Sequence, residues 1–369
     1  MTARFKIASI VGARPQLIKA AVLSRALRAR SEFDQVLIHT GQHYDDEMSQ
    51  VFFDELAIPR PDFHLGVGSA SHTVQTARML ERLEEPLIAT RPRAVLVYGD
   101  TNSTLAGALA SAKLEIPVAH VEAGLRSFNR RMPEEINRIV ADHLAALLFA
   151  PTATAVENLR TEGIAADRVR LVGDVMYDAA LFYERIAFQR STILARLGLA
   201  PKGFVLATVH RAANTDTPGN LRAIMEALEQ VARHMPVVLP LHPRTRLALE
   251  RERLLQSSSN GITIVPPVGY LDMVLLERNA RLIATDSGGV QKEAFFYRVP
   301  CVTLRAETEW TELVALGWNR LVAPVSSSAV FQCVMAAIDT EGTSDSPYGD
   351  GRASELIAEE IVRLAGCAS

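Results

Sequence analysis

The sequence predicts an α/β protein made of two doubly wound, mostly parallel sheets, and three observations carry that prediction. Short β-branched runs alternate with longer stretches of helical apolar spacing along nearly the whole chain. The alternation pauses at a helical stretch over 175–198 and begins afresh at "PKGFVLATVHR". With 369 residues and 48% hydrophobic content, the chain is long enough for two cores rather than one. Strands alternating with helices imply right-handed βαβ crossovers and sheets covered on both faces.

In the first half, "FKIASIV" (5–11) reads as a strand and "PQLIKAAVLSRALRAR" (15–30) as the helix after it. "QVLIHT", "AVLVYGD", "PVAHVE", "ALLFAP" and "RVRLVG" repeat the strand pattern up to about residue 173. After the restart, "VVLPLHP", "ITIVPPV", "RLIATDSGG" and "CVTLRA" supply a second set. The segment "SELIAEEIVRLAG" (354–366) has the spacing of an amphipathic helix and suits packing on either half. "SSSAV" and "TEGTSDSPYGDG" read as short loops.

Composition excludes several classes of function. Net charge is −3 from 39 basic and 42 acidic residues, which argues against a general nucleic-acid binder. The three cysteines, Cys301, Cys333 and Cys367, lie far apart, so neither a disulfide scaffold nor a zinc cluster is expected, and a reducing cytoplasm is the default. No stretch approaches the roughly 20 apolar residues of a membrane helix, and the N-terminus lacks the apolar run of a signal peptide.

In open α/β sheets ligands sit beyond the carboxyl ends of strands, so the strand-to-helix junctions are where chemistry is sought. The first, "VGARPQLIK" (11–19), offers Gly12 for a tight turn, Pro15 at a first helical position, and Arg14 and Lys19 near a helix N-terminus. An anion such as phosphate suits it, and so does an ordinary capped turn. "HTGQHYDDEM" (39–48) spaces His39 and His43 four apart, but Gly41 breaks any helix there, so a loop or capping role is expected rather than a metal pair. "VYGDTNSTLAG" (97–107) places Asp100 at a strand end, as an N-cap or as a presented carboxylate.

Residues 120–138, "HVEAGLRSFNRRMPEEINR", gather three carboxylates and four arginines where a strand gives way to a helix. One of Glu134 and Glu135 is expected only to complement the helix dipole. Glu122 ends a near-continuous apolar strand, where a carboxylate is costly unless paired or used. In the second half, "ATDSGGVQKEA" (284–294) offers Ser287, Gly288 and Gly289 at a helix start, which serves as a plain helix start or, as two adjacent glycines favour, as a cradle for a diphosphate. Glu293, further along, is placed to accept from ribose hydroxyls, and His210 and Arg211 add charge at another strand end.

Taken together, "GARPQLIK", "YGDTNSTLAG", "HVEAGLRS", "MPEEINR", "VGDVMYDA", "TVHR", "DSGGVQKEA" and "PYGDG" resemble, in order and over nearly the whole chain, the non-hydrolysing UDP-N-acetylglucosamine 2-epimerases. The resemblance implies a GT-B fold: two Rossmann-like domains facing across a cleft. It places the first at 1–174, with the C-terminal helix, about 354–369, packing back on it, and the UDP-binding one at 175–353. Asp100, Glu122 and Glu134 match the family's catalytic carboxylates. By the same resemblance His210 and Arg14 approach the phosphates, Ser287 with Gly288 and Gly289 meets the diphosphate, and Glu293 meets the ribose. Arg138 and Lys19 match further sugar-site residues. The implied reaction inverts C2 of the UDP-linked sugar by elimination and re-addition of UDP, with no cofactor or metal. The implied enzyme is a cytoplasmic homodimer whose products feed surface polysaccharides.

The loop "RSFNRRMPEEINR" is similar to the branch that acts on UDP-2,3-diacetamido-2,3-dideoxyglucuronate, where Arg126, Arg130 and Arg131 would suit a sugar carboxylate. "GQHYDDEM" and "GVGSASHT" depart from the family's activating second-substrate segments, so that site is not expected. The rival readings are a glycosyltransferase of the same architecture, a hydrolysing epimerase and a non-catalytic sugar-nucleotide sensor.

Overall fold

The computed structural model describes residues 4–42, 56, 60–254 and 261–367. The chain divides into two compact units, Met1–Phe182 with Ser346–Ser369, and Tyr183–Asp345.

Among the described residues the first unit holds seven strands: β1 (Phe5–Val11), β2 (Phe33–His39), β3 (Phe63–His64), β4 (Ala94–Tyr98), β5 (Val118–Val121), β6 (Leu147–Ala150) and β7 (Val169–Leu171). They lie in the order β3-β2-β1-β4-β5-β6-β7, every pair parallel. Its helices are α1 (Arg14–Arg28), α2 (His72–Thr90), α3 (Asn102–Lys113), α4 (Pro133–Leu144), α5 (Ala153–Thr161) and α6 (Val175–Arg190), the last carrying the chain into the second unit. The central strands are buried on both faces: all five residues of β4 have no solvent exposure. An uninterrupted apolar run such as "AVLVY" is what helices on both sides of a parallel sheet demand.

The second unit repeats the scheme with β8 (Val205–Thr208), β9 (Val237–Pro240), β10 (Ile262–Val265), β11 (Leu282–Thr285), β12 (Cys301–Thr303) and β13 (Asn319–Leu321). Their order is β10-β9-β8-β11-β12-β13, again all parallel. The helices are α7 (Ile193–Arg196), α8 (Ala212–Thr215), α9 (Pro218–Ala232), α10 (Pro243–Arg251), α11 (Tyr270–Asn279), α12 (Gly288–Phe296), α13 (Thr311–Ala315) and α14 (Ser327–Ala337). Its core gathers Val205, Ala207, Leu282 and Ala284 of the sheet with Leu221, Ile224, Leu228, Val330 and Val334 of the helices.

Both sheets are doubly wound, and each reverses strand order once, between β1 and β4 and between β8 and β11. A crevice opens at such a reversal because the helices on its two sides diverge to opposite faces. Arg14 and Asp100 follow β1 and β4; His210 and Ser287 follow β8 and β11.

The last helix, α15 (Ala353–Cys367), belongs to the first unit and packs on α1. Asp178 caps it, accepting from Ala353 N at 3.1 Å and Ser354 N at 2.6 Å. Glu359 and Glu360 reach Arg30 and Arg170. The motifs "VGD" and "PYGDG" meet where Asp174 N donates to Tyr348 O at 2.9 Å. Gly173 sits there at φ +87°, and a Cβ on it would lie 2.7 Å from Tyr348 O, so only glycine fits.

Two local expectations are corrected. "SSSAV" is not a loop: Ser326 caps α14, its hydroxyl accepting from Ala329 N at 3.4 Å. The helical stretch over 175–198 is two helices, broken where the Ser191 hydroxyl turns to Asp272 instead. The edge strands β3 and β13, of two and three residues, carry too little pattern to be read in advance.

Candidate functional site

In the first unit the junctions after β1, β4 and β5 converge. Gly12 makes no left-handed turn. It is glycine because a Cβ there would overlap Ser103 Oγ and Thr40 Oγ1. Gln16 fixes this turn, accepting from Gly12 N at 2.8 Å and Ala13 N at 3.1 Å and donating to Tyr98 O at 2.8 Å. The α1 N-terminus is thereby tied to the end of β4. Arg14 is exposed at the first position of α1, and Lys19 is buried one turn on.

Lys19 Nζ donates to Glu122 Oε2, an ion pair whose side chains are only 9% and 10% exposed. Glu122 stands at φ +70°, a strained setting for a non-glycine residue that persists only where its surroundings hold it. Asp100 is not the N-cap of α3; Thr101 is, accepting from Thr104 N. The Asp100 carboxylate instead receives Arg138 Nε at 3.0 Å and Nη2 at 2.6 Å. Arg138 Nη1 also donates to Glu135 Oε2 at 2.8 Å.

Glu134 and Glu135 divide as their positions on α4 require. Glu135 is buried and accepts from Ser127 N at 2.9 Å, Ser127 Oγ at 3.0 Å and Phe128 N at 2.8 Å. Burial opposes its charge, yet these donors and Arg138 hold its carboxyl below the usual range. Glu135 therefore pins the loop before α4. Glu134 is half-buried and has no hydrogen bond or ion pair among the described residues. Of the loop arginines, Arg126 is removed from any sugar site: it is buried and bonded to Asp142 and Glu162, each at 2.7 Å. Arg130 and Arg131 are exposed.

His39, at the end of β2, is buried and stacks on His64 with ring centroids 4.9 Å apart. Its Nδ1 accepts from Gly41 N at 3.1 Å, a loop-fixing role; His43 and the rest of "HYDDEM" lie outside the described residues. Burial first, then the neighbouring His64, lowers the His39 pKa to about 4. The sign follows from proton counting: between pH 6.5 and 4 the unfolded chain binds a proton that the fold refuses. Stability is thus expected to fall as pH drops through that window. His39→Gln should flatten this part of the curve in urea denaturation followed at several pH values. Among the described residues no group of three or more His, Cys, Asp or Glu is arranged to hold a metal ion. Nor is any described helix long and apolar enough to cross a membrane.

In the second unit, Asp286, fully buried after β11, organises the junction. Its carboxylate accepts from His210 N at 3.0 and 3.1 Å, Arg211 N at 3.0 Å and Asn214 Nδ2 at 3.0 Å. His210 Nδ1 lies 3.6 Å from it, and the ring sits 5.5 Å from that of His242, leaving the His210 side chain 40% exposed. Ser287 caps α12 through Val290 N, so the first amides of a nine-residue helix face outward. A Cβ on Gly288 would push the Glu309 carboxylate aside, whereas one on Gly289 would make ordinary contacts with Ser287 Oγ at 3.9 Å and Glu293 Oε2 at 4.0 Å. Glu309 is paired to Arg305 at 3.1 Å and lies 3.8 Å from Arg211. Glu293 is buried; burial of Glu277, and then the nearby Glu293 charge, pushes the Glu277 pKa well above the usual range.

The structure thus gathers Lys19, Asp100, Glu122 and Arg138 in one unit, with Glu134 one helical turn before Arg138. In the other it gathers His210, Ser287, Gly288 and Gly289, with Glu293 buried further along α12. Sequence reasoning missed Asp286, Gln16, His120 and Asp142, all buried polar groups inside otherwise apolar stretches. A polar residue interrupting such a run was the only signal available.

The sequence profile of the UDP-N-acetylglucosamine 2-epimerase family matches residues 25–362. A Pseudomonas aeruginosa protein, UDP-2,3-diacetamido-2,3-dideoxy-D-glucuronate 2-epimerase, is 49% identical over 363 residues, covering 97% of this chain and all of the relative. Among solved structures, the Methanocaldococcus jannaschii UDP-GlcNAc 2-epimerase in complex with UDP-GlcNAc and UDP matches with a TM-score of 0.89 and 41% identity, over 97% of this chain and 99% of that one. The Neisseria meningitidis UDP-GlcNAc 2-epimerase bound to UDP-GlcNAc matches with a TM-score of 0.87 and 30% identity, over 97% and 100%.

Proposed function

Because the chain belongs to the UDP-N-acetylglucosamine 2-epimerase family, we propose that it interconverts UDP-N-acetylglucosamine and UDP-N-acetylmannosamine without hydrolysis. The observation that carries this reading is the set of carboxylates at neighbouring strand ends, Asp100 oriented by Arg138 and Glu122 by Lys19, with Glu134 close in sequence to Arg138 on α4.

C2 of the sugar bears a poorly acidic proton, since no adjacent carbonyl can hold the resulting charge. Elimination avoids a free carbanion. A carboxylate takes the C2 proton, the C–H electron pair forms the C1–C2 double bond, and the C1–O pair leaves with UDP. UDP then returns to C1 of the glycal while a carboxyl group delivers a proton to C2 on the opposite face. One group acts as base and another as acid, and the roles exchange in the reverse direction. Asp100, Glu122 and Glu134 supply these groups.

The leaving diphosphate needs cations and N–H donors where its charge develops. The α12 N-terminus, Ser287, Gly288 and Gly289, supplies the donors, and His210 and Arg14 supply the charge. Glu293 accepts from the ribose. Asp286 fixes the backbone on which His210 stands. No step of this scheme calls for a redox cofactor or a metal. With the reading go a cytoplasmic location and a homodimer, the latter checked by light scattering on the purified protein.

A second substrate is favoured by one pair of observations: the 49% identity to the glucuronate epimerase, and the exposure of Arg130 and Arg131 on the loop before α4. The test is proton NMR with each UDP-sugar in deuterated water. UDP-N-acetylmannosamine carrying deuterium at C2 is the expected product. Free N-acetylmannosamine would replace this reading with a hydrolysing enzyme. Turnover of the diacetamido uronate alone would move the substrate to that branch, and inertness towards both would leave a transferase or a sensor.

A further inference from the structure

Beneath the carboxylates runs a buried ionic chain that this reaction scheme leaves unused. His120, fully buried in β5, has both ring nitrogens engaged: Nε2 lies 2.7 Å from Gly99 O, and Nδ1 lies 2.7 Å from Asp142 Oδ1. Burial opposes the charge of Asp142, but His120 and Arg126 outweigh it and hold the carboxyl below its usual range. Gly99 O and the Asp142 carboxylate are both acceptors, so the ring is anchored at its two ends between them. Asp142 Oδ2 receives Arg126 at 2.7 Å, and Arg126 also binds the partly exposed Glu162.

The chain touches both turns that present the carboxylates. Gly99 immediately precedes Asp100, while Gly124, whose N–H donates to Asp142 Oδ2 at 3.1 Å, follows Glu122 by two residues. Glu122 stands at φ +70°, a conformation that needs holding in a non-glycine residue, between Gly99 and Gly124, which adopt φ +62° and +81° freely. From above, the Lys19–Glu122 pair closes over Gly99: a Cβ there would lie 3.1 Å from Glu122 Oε2 and 3.2 Å from Lys19 Nζ.

We propose that His120, bridging Gly99 and Asp142, is a positioning residue that locks the Asp100 turn to the Glu122 turn. The inference rests on the reading of Asp100 and Glu122 as the groups that act at C2. Asp142 and Arg126 face the ring from α4 and its preceding loop, Glu162 stands behind Arg126, and Lys19 with Glu122 covers Gly99.

The test is a split of kinetic constants. His120→Gln should lower kcat about 10- to 100-fold with KM and UDP affinity within about twofold, because a small misplacement of reacting groups acts on the chemical step. Unchanged kcat in the folded variant, or kcat and UDP affinity falling together, overturns the proposal. Should His120→Gln fail to fold, Asp142→Asn carries the test, with the same fall in kcat and the same constancy of KM and UDP affinity expected. An unchanged kcat overturns the proposal. Asp100→Asn and Glu122→Gln are measured alongside. Full turnover in those two removes the catalytic reading itself, whereas their inactivity beside normal His120 and Asp142 variants removes only the positioning role.

Discussion

Glu122→Gln is expected to lower turnover about 10²- to 10⁴-fold while UDP affinity stays within a few fold. The amide keeps the shape of the carboxylate but cannot take a proton from carbon. The groups assigned to UDP lie mostly in the other unit, on α12 and after β8, so the loss should appear in kcat and not in nucleotide binding. Asp100→Asn and Glu134→Gln are expected to behave alike, with one difference in stability. Gln at 122 leaves Lys19 buried without its counter-ion, and Asn at 100 leaves Arg138 one partner, Glu135. Glu134 has no partner to lose among the described residues, so its variant should unfold at the wild-type midpoint. Turnover by NMR and UDP titration by calorimetry measure both quantities. Wild-type turnover in all three variants would remove the carboxylates from the mechanism.

Asp286→Ala is expected to cost about 3–5 kcal/mol, the largest stability loss of the substitutions considered. The carboxylate is fully buried and accepts from two backbone amides and the Asn214 amide, and its removal strands all three donors. Both tryptophans, Trp310 and Trp318, are buried in the second unit, so their fluorescence follows its unfolding without contribution from the first. A midpoint shift in urea should therefore be large by fluorescence. Because the same carboxylate holds His210 N, the KM for the UDP-sugar should rise as well. A stable variant with normal KM would show that the junction is held by other contacts.

Much of the fold was written locally. Apolar runs such as "AVLVY" and "VLAT" could only be strands buried on both faces, and the helices between them forced parallel pairing. The junction rule then pointed to Arg14, Asp100, His210 and Ser287 before any strand order was known. Edge strands β3 and β13 escaped because two or three residues cannot display a period, and "SSSAV" misled because serine favours loops and helix caps for the same hydrogen-bonding reason.

Partner choice was not written there. Nothing near Asp100 in sequence says that Arg138 orients it rather than the adjacent helix start. Lys19 and Glu122 are 103 residues apart, and only the neighbouring positions of β1, β4 and β5 bring them together. Arg126 read as a candidate for a sugar carboxylate, and burial turned it into a structural ion. The amino-acid sequence by itself determined the element types, the doubly wound class and which strand ends carry chemistry, because periodicity and turn composition act over a few residues. The tertiary structure alone decided which charge meets which, since a buried ion is tolerated only opposite its complement, and strand order sets where that complement lies.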